Sequence, residues 1–150
     1  EAAGDCTACG LYQMCKDPSG NCGTGSCQPR TYICVGGGPR VCGCDGIQHP
    51  SDCLAGKNGV DVNADPKACA APSPTLFTCG KSFCVRGLEY CEGWYGDASD
   101  GGLLCRPKPS TCSTLDCACA KPAPCSNAGT FKAVACTDDG KGDVFVTCAF

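Results

Sequence analysis

Twenty cysteines, an even number, dominate this 150-residue chain. They make up about 13% of it, beyond the level at which a short chain reads as a disulfide scaffold. A reducing cytosol keeps thiols free. This usage therefore points to an oxidising compartment, outside the cell or at its surface, reached after removal of a signal peptide. Zinc is the competing use for so many thiols. Cys6 and Cys9 form one Cys-x-x-Cys, and Cys42/Cys44 and Cys117/Cys119 form two Cys-x-Cys pairs. No second Cys-x-x-Cys completes a knuckle and histidine occurs once, so neither metal nor cofactor is expected. Eleven prolines and 21 glycines commit much of the chain to turns. Disulfides, each adding roughly 2–4 kcal/mol, are expected to stand in for much of a hydrophobic core.

Ten cysteines fall in residues 6–69 and ten in 79–148. Between them runs AAPSPTLFT, in which Pro72 and Pro74 favour extended chain. The reading is two disulfide-stapled subdomains, 1–69 and 79–150, joined by a Pro-rich linker over 70–78. The fold class is small and disulfide-rich, mostly loops and short β-strands with one short helix. That helix starts near Pro50-Ser51-Asp52, capped by Ser51 or Asp52, and stops at Gly56. TFKAVAC and DVFVTCAF, joined by TDDGKG, read as a hairpin. Alternation puts Phe131, Ala133 and Ala135 on one face of its first strand. Val144, Val146, Cys148 and Phe150 share a face of its second. Cys136 and Cys148 stand at different levels of that ladder, so each is expected to bond elsewhere. CGLYQMCKDPSGNC, CGTGSCQPRTYIC and CGKSFCVRGLEYC echo one another. The echo reflects either duplication or the use of glycine for positive φ in tight loops.

The stretch CVGGGPRVCGCDGIQHPSDC places Cys34, Cys42, Gly43, Asp45, Gly46 and Cys53 in a C-x7-C-G-x-D-G spacing. It resembles the Kazal module and its follistatin-type relatives, with Cys27 as the first cysteine and Cys69 as the last. Upstream, CGLYQMC is similar to the hairpin that precedes the Kazal part in follistatin-like modules. VCGCDG followed by Gly59-Val60-Asp61-Val62 looks most like Kazal-like repeats in secreted proteins of myxobacteria, which implies a bacterial source. The resemblance is good over 22–69 and loose over 6–21. It implies the bridges Cys34–Cys53 and Cys42–Cys69. The family's cysteine shortly after the Cys53 position is missing, since Ala55, Gly56 and Lys57 stand there, and Cys44 is extra. A third bridge, Cys27–Cys44, follows from that exchange.

The resemblance also implies an inhibitory loop of Val35, Gly36, Gly37, Gly38 and Pro39. Gly36 sits where the family places the side chain that enters a protease's specificity pocket. His49 and Ser51 sit where it places a bracing Tyr and Asn. Glycine brings no buried anchor, and a looser loop loses more entropy on docking. Two functions follow. The first is a secreted, non-enzymatic structural or binding protein in a cell-surface or extracellular assembly, including a filament. Its partner is itself or another extracellular protein. The second is a Kazal-type inhibitor of a subtilisin-like or elastase-like serine protease.

Other residues are weighed against plainer roles. His49, the single histidine, reads as a solvent-facing turn residue, and no acid, base and nucleophile converge for catalysis. Asp97 with Asp100, and Asp138 with Asp139 and Asp143, read as calcium loops or as ordinary turn chemistry. Phe83, Tyr90, Trp94 and Tyr95 either cover disulfides or face a partner. A terminal apolar strand joins its own sheet or adds to a neighbour's. Trp94, Tyr95, Val144, Val146 and Phe150 are therefore the candidate contact surface. A net charge of −3 without a basic run makes nucleic acid a poor partner. No apolar run is long enough to span a membrane.

Overall fold

A computed structural model describes residues 4–5, 9–34, 38–95, 102–121, 125 and 132–149. The chain divides into two units, Glu1–Ala70 and Ala71–Phe150. Nine disulfides join described cysteines, and each closes within one unit. Strands and loops predominate, with two short helices among the described residues.

In the first unit, β1 (Gly4–Asp5), β2 (Gln13–Lys16) and β3 (Thr24–Pro29) form an antiparallel sheet in the order β1-β3-β2. The strands β4 (Val41–Cys42) and β5 (Gln48–His49) form a small hairpin, and Gly43 bridges to Val62 beside it. Helix α1 (Asp52–Lys57) follows β5. Of the two candidate caps Ser51 is the one used: its hydroxyl accepts from Leu54 N at 3.2 Å. The helix runs one residue past Gly56. Gly59 then turns the chain with φ +75°, and its N–H reaches back to the Gly56 carbonyl. Met14, Leu54 and Ala55 are the buried hydrophobic residues among those described here.

Four bridges between described cysteines staple this unit: Cys9–Cys27, Cys22–Cys44, Cys34–Cys53 and Cys42–Cys69. Cys15 is disulfide-bonded as well. The expected Cys27–Cys44 bridge is corrected, because Cys44 takes Cys22 and Cys27 takes Cys9. Asp61 accounts for the difference. Its carboxylate accepts from Asp17 N at 2.6 Å and its carbonyl from Cys44 N at 2.8 Å. That gathers the 17–22 turn to Cys44, while Cys27 is held in the β2–β3 ladder opposite Cys15.

In the second unit, β6 (Leu76–Cys79) and β7 (Ser82–Val85) form a hairpin. The inter-unit connection is accordingly shorter than 70–78. A four-stranded sheet combines β8 (Glu89–Tyr95), β9 (Leu103–Pro107), β10 (Lys132–Asp138) and β11 (Val144–Ala149) in the order β10-β11-β8-β9. The β8–β11 pair is parallel and the other two are antiparallel. A second helix, α2 (Cys117–Ala120), is capped by Asp116. One turn of Cys-Ala-Cys-Ala is too short for an apolar period, so the sequence reading missed it.

The terminal hairpin forms, but with a bulge between Ala133 and Ala135. An extra residue shifts the faces. Ala133 and Cys136 pack against the core and Ala135 is exposed, contrary to strict alternation. Val144, Val146 and Cys148 are buried, as alternation predicts. Phe131 and Phe150 lie outside the described residues. Cys136 bonds Cys117 and Cys148 bonds Cys125, so the two are not partners of each other. One core cluster joins Tyr90, Leu115, Ala120 and Cys125 to the buried face of β11. Another joins Phe77 to Cys79, Cys84 and Cys91, with the Phe77 ring edge-on to Phe145 at 5.2 Å.

Candidate functional site

The 34–42 loop is tied at both ends. Cys34–Cys53 fastens its entry to the first turn of α1, and Cys42–Cys69 fastens its exit. Val35, Gly36 and Gly37 lie outside the described residues; Gly38 and Pro39 are exposed. A Cβ placed on Gly38 would stand 3.4 Å from Ser51 Cβ, so the loop stem rests on the helix cap. Ser51 is buried and its oxygen is engaged by the Leu54 amide.

His49 departs from the expected exposed turn: only 7% of it is accessible. Its Nε2 lies 3.0 Å from Asp45 Oδ2 and 3.2 Å from Oδ1. Asp45 Oδ1 also accepts from Ile47 N at 3.0 Å, closing the turn. Gly43 makes room for the ring, since a Cβ there would stand 2.8 Å from His49 Cδ2 and 2.7 Å from Val60 Cγ1. The Gly-x-Asp-Gly turn is thus a clamp on a buried imidazole. Asp45 is the side chain bonded to that ring.

Next to the loop entry the unit presents large apolar side chains. Leu11 is 86% exposed, Tyr12 75%, Tyr32 56% and Ile33 76%. They lie on neighbouring stretches of chain, because Arg30 N donates to the Tyr12 carbonyl at 3.0 Å and extends the β2–β3 ladder toward residue 32. Arg30 Nε donates to the Gln13 carbonyl at 2.9 Å. Its guanidinium lies over Gly59, where a Cβ would stand 2.6 Å from Cζ. Positive φ and this close approach both require glycine there. Sequence reasoning missed these four residues. Their signal was an apolar pair in each of two short stretches, read only as spacing between cysteines.

The contact surface expected in the second unit is corrected. Val144 and Val146 are core residues, 0% and 3% accessible. Strand β11 is hydrogen-bonded on both sides, by β10 and β8, and offers no edge to a neighbour. Trp94 is half-buried against the core, and its Nε1 donates to the buried Glu92 Oε1 at 2.9 Å. Tyr95 ends β8, and Phe150 lies outside the described residues. The aromatic group is therefore divided. Tyr90 is buried, and that burial pushes its phenol above the usual value, while Phe83 is 44% exposed.

The 138–143 loop shows turn chemistry. Asp138 Oδ1 accepts from Gly140 N at 2.7 Å. Asp139 Oδ1 accepts from Lys141 N at 2.8 Å and Asp143 N at 3.0 Å. Arg86 Nη1 stands 2.7 Å from Asp143 Oδ1 and 3.9 Å from Asp139 Oδ2. Burial and the neighbouring Asp139 charge push Asp143 up. Burial pushes Asp139 up too, but the two amides and Arg86 outweigh it and hold that carboxyl below its usual range. Asp97 and Asp100 lie outside the described residues. No protein-family model, curated protein or solved structure matches the chain.

Proposed function

We propose that this is a secreted, non-enzymatic binding protein that works in a cell-surface or extracellular assembly. Its first unit offers Leu11, Tyr12, Tyr32 and Ile33 to a protein partner. The observation that carries the reading is their exposure on chain that is already fastened. Cys9–Cys27 holds the β2–β3 hairpin beside two of them, and Cys34–Cys53 holds the stretch beside the others. Apolar side chains on a pre-fastened backbone lose little entropy on docking and shed water when covered. Secretion rests on the disulfide usage. Assembly through the C-terminal strand is not part of this reading, since β11 is paired on both sides.

The test is site-specific photo-crosslinking of the full chain in medium from the organism that makes it. A crosslinker at position 12 or 33 is expected to give a discrete adduct, and one at position 65 none. Equal labelling from all three positions, or no adduct from any, contradicts the reading. An adduct with a second copy would identify the partner as the protein itself.

A second reading, a Kazal-like inhibitor of a subtilisin-like or elastase-like protease, is supported by the bridges at both ends of the 34–42 loop. It is weakened by Gly36, which supplies no side chain for a specificity pocket.

A further inference from the structure

We infer that Cys79, Cys84, Cys91 and Cys105 form an exchangeable pair of bridges, whose alternative pairing frees the β6–β7 hairpin from the four-stranded sheet. In the observed pairing, Cys79–Cys91 and Cys84–Cys105 both tie that hairpin to β8 and β9. The sulfurs of Cys79, Cys84 and Cys91 lie within 4.8 Å of one another, although two separate bridges contribute them. Cys91 and Cys105 are direct cross-strand partners in the β8–β9 ladder. Such partners have Cα atoms about 4.5–5.5 Å apart, inside the range a disulfide spans. Cys79 and Cys84 are diagonal neighbours two residues out of register on the β6–β7 ladder, where Cys79 faces Ser82 and Cys84 faces Phe77, and it is their sulfurs, within 4.8 Å of each other, that bring them into reach. Each half of the alternative pairing, Cys79–Cys84 and Cys91–Cys105, joins two strands that already neighbour each other.

Exposure decides the point of entry. Cys79, Cys84 and Cys91 are 0%, 0% and 1% accessible, whereas Cys105 is half-buried. A small-molecule thiolate attacks Cys105 Sγ, forms a mixed disulfide and releases the Cys84 thiolate. Cys84 then attacks Cys79 Sγ, forming Cys79–Cys84 and releasing the Cys91 thiolate. Cys91 attacks Cys105 Sγ across the ladder, forms Cys91–Cys105 and expels the small thiolate unchanged. Two disulfides enter and two leave, so no oxidant or reductant is consumed. A Glu89 carboxylate oxygen lies within 4.8 Å of the Cys84 and Cys105 sulfurs, and its charge opposes an anionic attacker. Release of the hairpin removes Phe77 from Phe145 and uncovers both rings, a thiol-dependent exposure of apolar surface.

The oxidised full chain is incubated with a low concentration of glutathione, quenched in acid, alkylated and digested after Lys81 and Arg86. The Ser82–Arg86 peptide is expected to change partner, from the peptide holding Cys105 to the one holding Cys79, at a rate proportional to thiolate. Cys34–Cys53 and Cys42–Cys69 stay intact meanwhile. Persistence of the original linkage, or scrambling throughout the chain, overturns the inference. The double variant Cys79→Ser/Cys84→Ser provides an independent check. Its Cys91 and Cys105 are expected to be bonded and closed to alkylation, and free thiols at both would contradict the exchange.

Discussion

The two units solve the same problem by different means. Of the buried hydrophobic residues among those described, Met14, Leu54 and Ala55 belong to the first unit, and twelve others to the second. The first holds its shape through bridges and polar clamps: Asp61 across two segments, buried His49 on Asp45, buried Ser51 on α1. The second builds a four-stranded sheet with a packed face and uses bridges to fasten a hairpin and a helix to it. Each unit leaves four large apolar side chains outside among the described residues, but those of the first, Leu11, Tyr12, Tyr32 and Ile33, are the more exposed, at 56–86% against 44–60%.

The largest difference between the units is expected in the second unit's core. Phe77→Ala is expected to cost about 3–5 kcal/mol, seen in denaturant unfolding. Hydrogen exchange should rise in residues 76–149 while the first unit stays protected. Removing a first-unit bridge comes next. Cys42–Cys69 closes a separation of 27 residues, and Cys112–Cys119 one of 7. Loop-closure entropy gives about 3.5 and 2.4 kcal/mol respectively. The Cys42→Ala/Cys69→Ala variant should lose protection over 38–69. Retained protection there would mean the first unit has a core of its own. Gly59→Ala, which meets both positive φ and the Arg30 guanidinium, should cost about 1–3 kcal/mol. Thermal unfolding of Gly59→Ala alone and in an Arg30→Ala background separates the two causes.

A finer test uses pH. The Ser19 hydroxyl and amide hydrogen-bond Asp17, and with Thr24 they hold its carboxyl below the ordinary value of 3.8. A lowered carboxylate contributes stability that is present above the unfolded value and lost as pH falls through the folded one. The first unit should therefore loosen below about pH 3.8, and Asp17→Asn should remove that part of the dependence. Asp143 has the opposite sign. Its raised value favours the folded state in acid and is lost as pH rises through the folded value. The smallest stability effect belongs to the contact face: Ile33→Ser should change stability by less than about 0.5 kcal/mol while abolishing the crosslinked adduct.

Much of the architecture was legible because cysteine density and chain punctuation are strong local signals. The even division of cysteines, the Ser51-capped helix and the terminal hairpin all announce themselves within a few residues. What was hidden depends on distant atoms. Cys44 selects Cys22 because Asp61 draws the 17–22 turn toward it, a contact across 44 residues. His49 is buried because Gly43 lacks a side chain, and Val134 sits in a bulge that no period reveals. The exposed face was misassigned to Val144 and Val146, because an apolar terminal strand looks the same whether it is central or at an edge. Its pairing with β8 joins residues far apart in sequence.

We propose that the first unit is a bridge-held frame for contact and not an inhibitor. Titration of the intact protein against subtilisin, elastase, chymotrypsin and trypsin tests it most directly. No inhibition at micromolar concentration is expected from the wild-type protein or from a Gly36→Ala variant. Submicromolar inhibition by the wild type that changes with the residue at position 36 would contradict it.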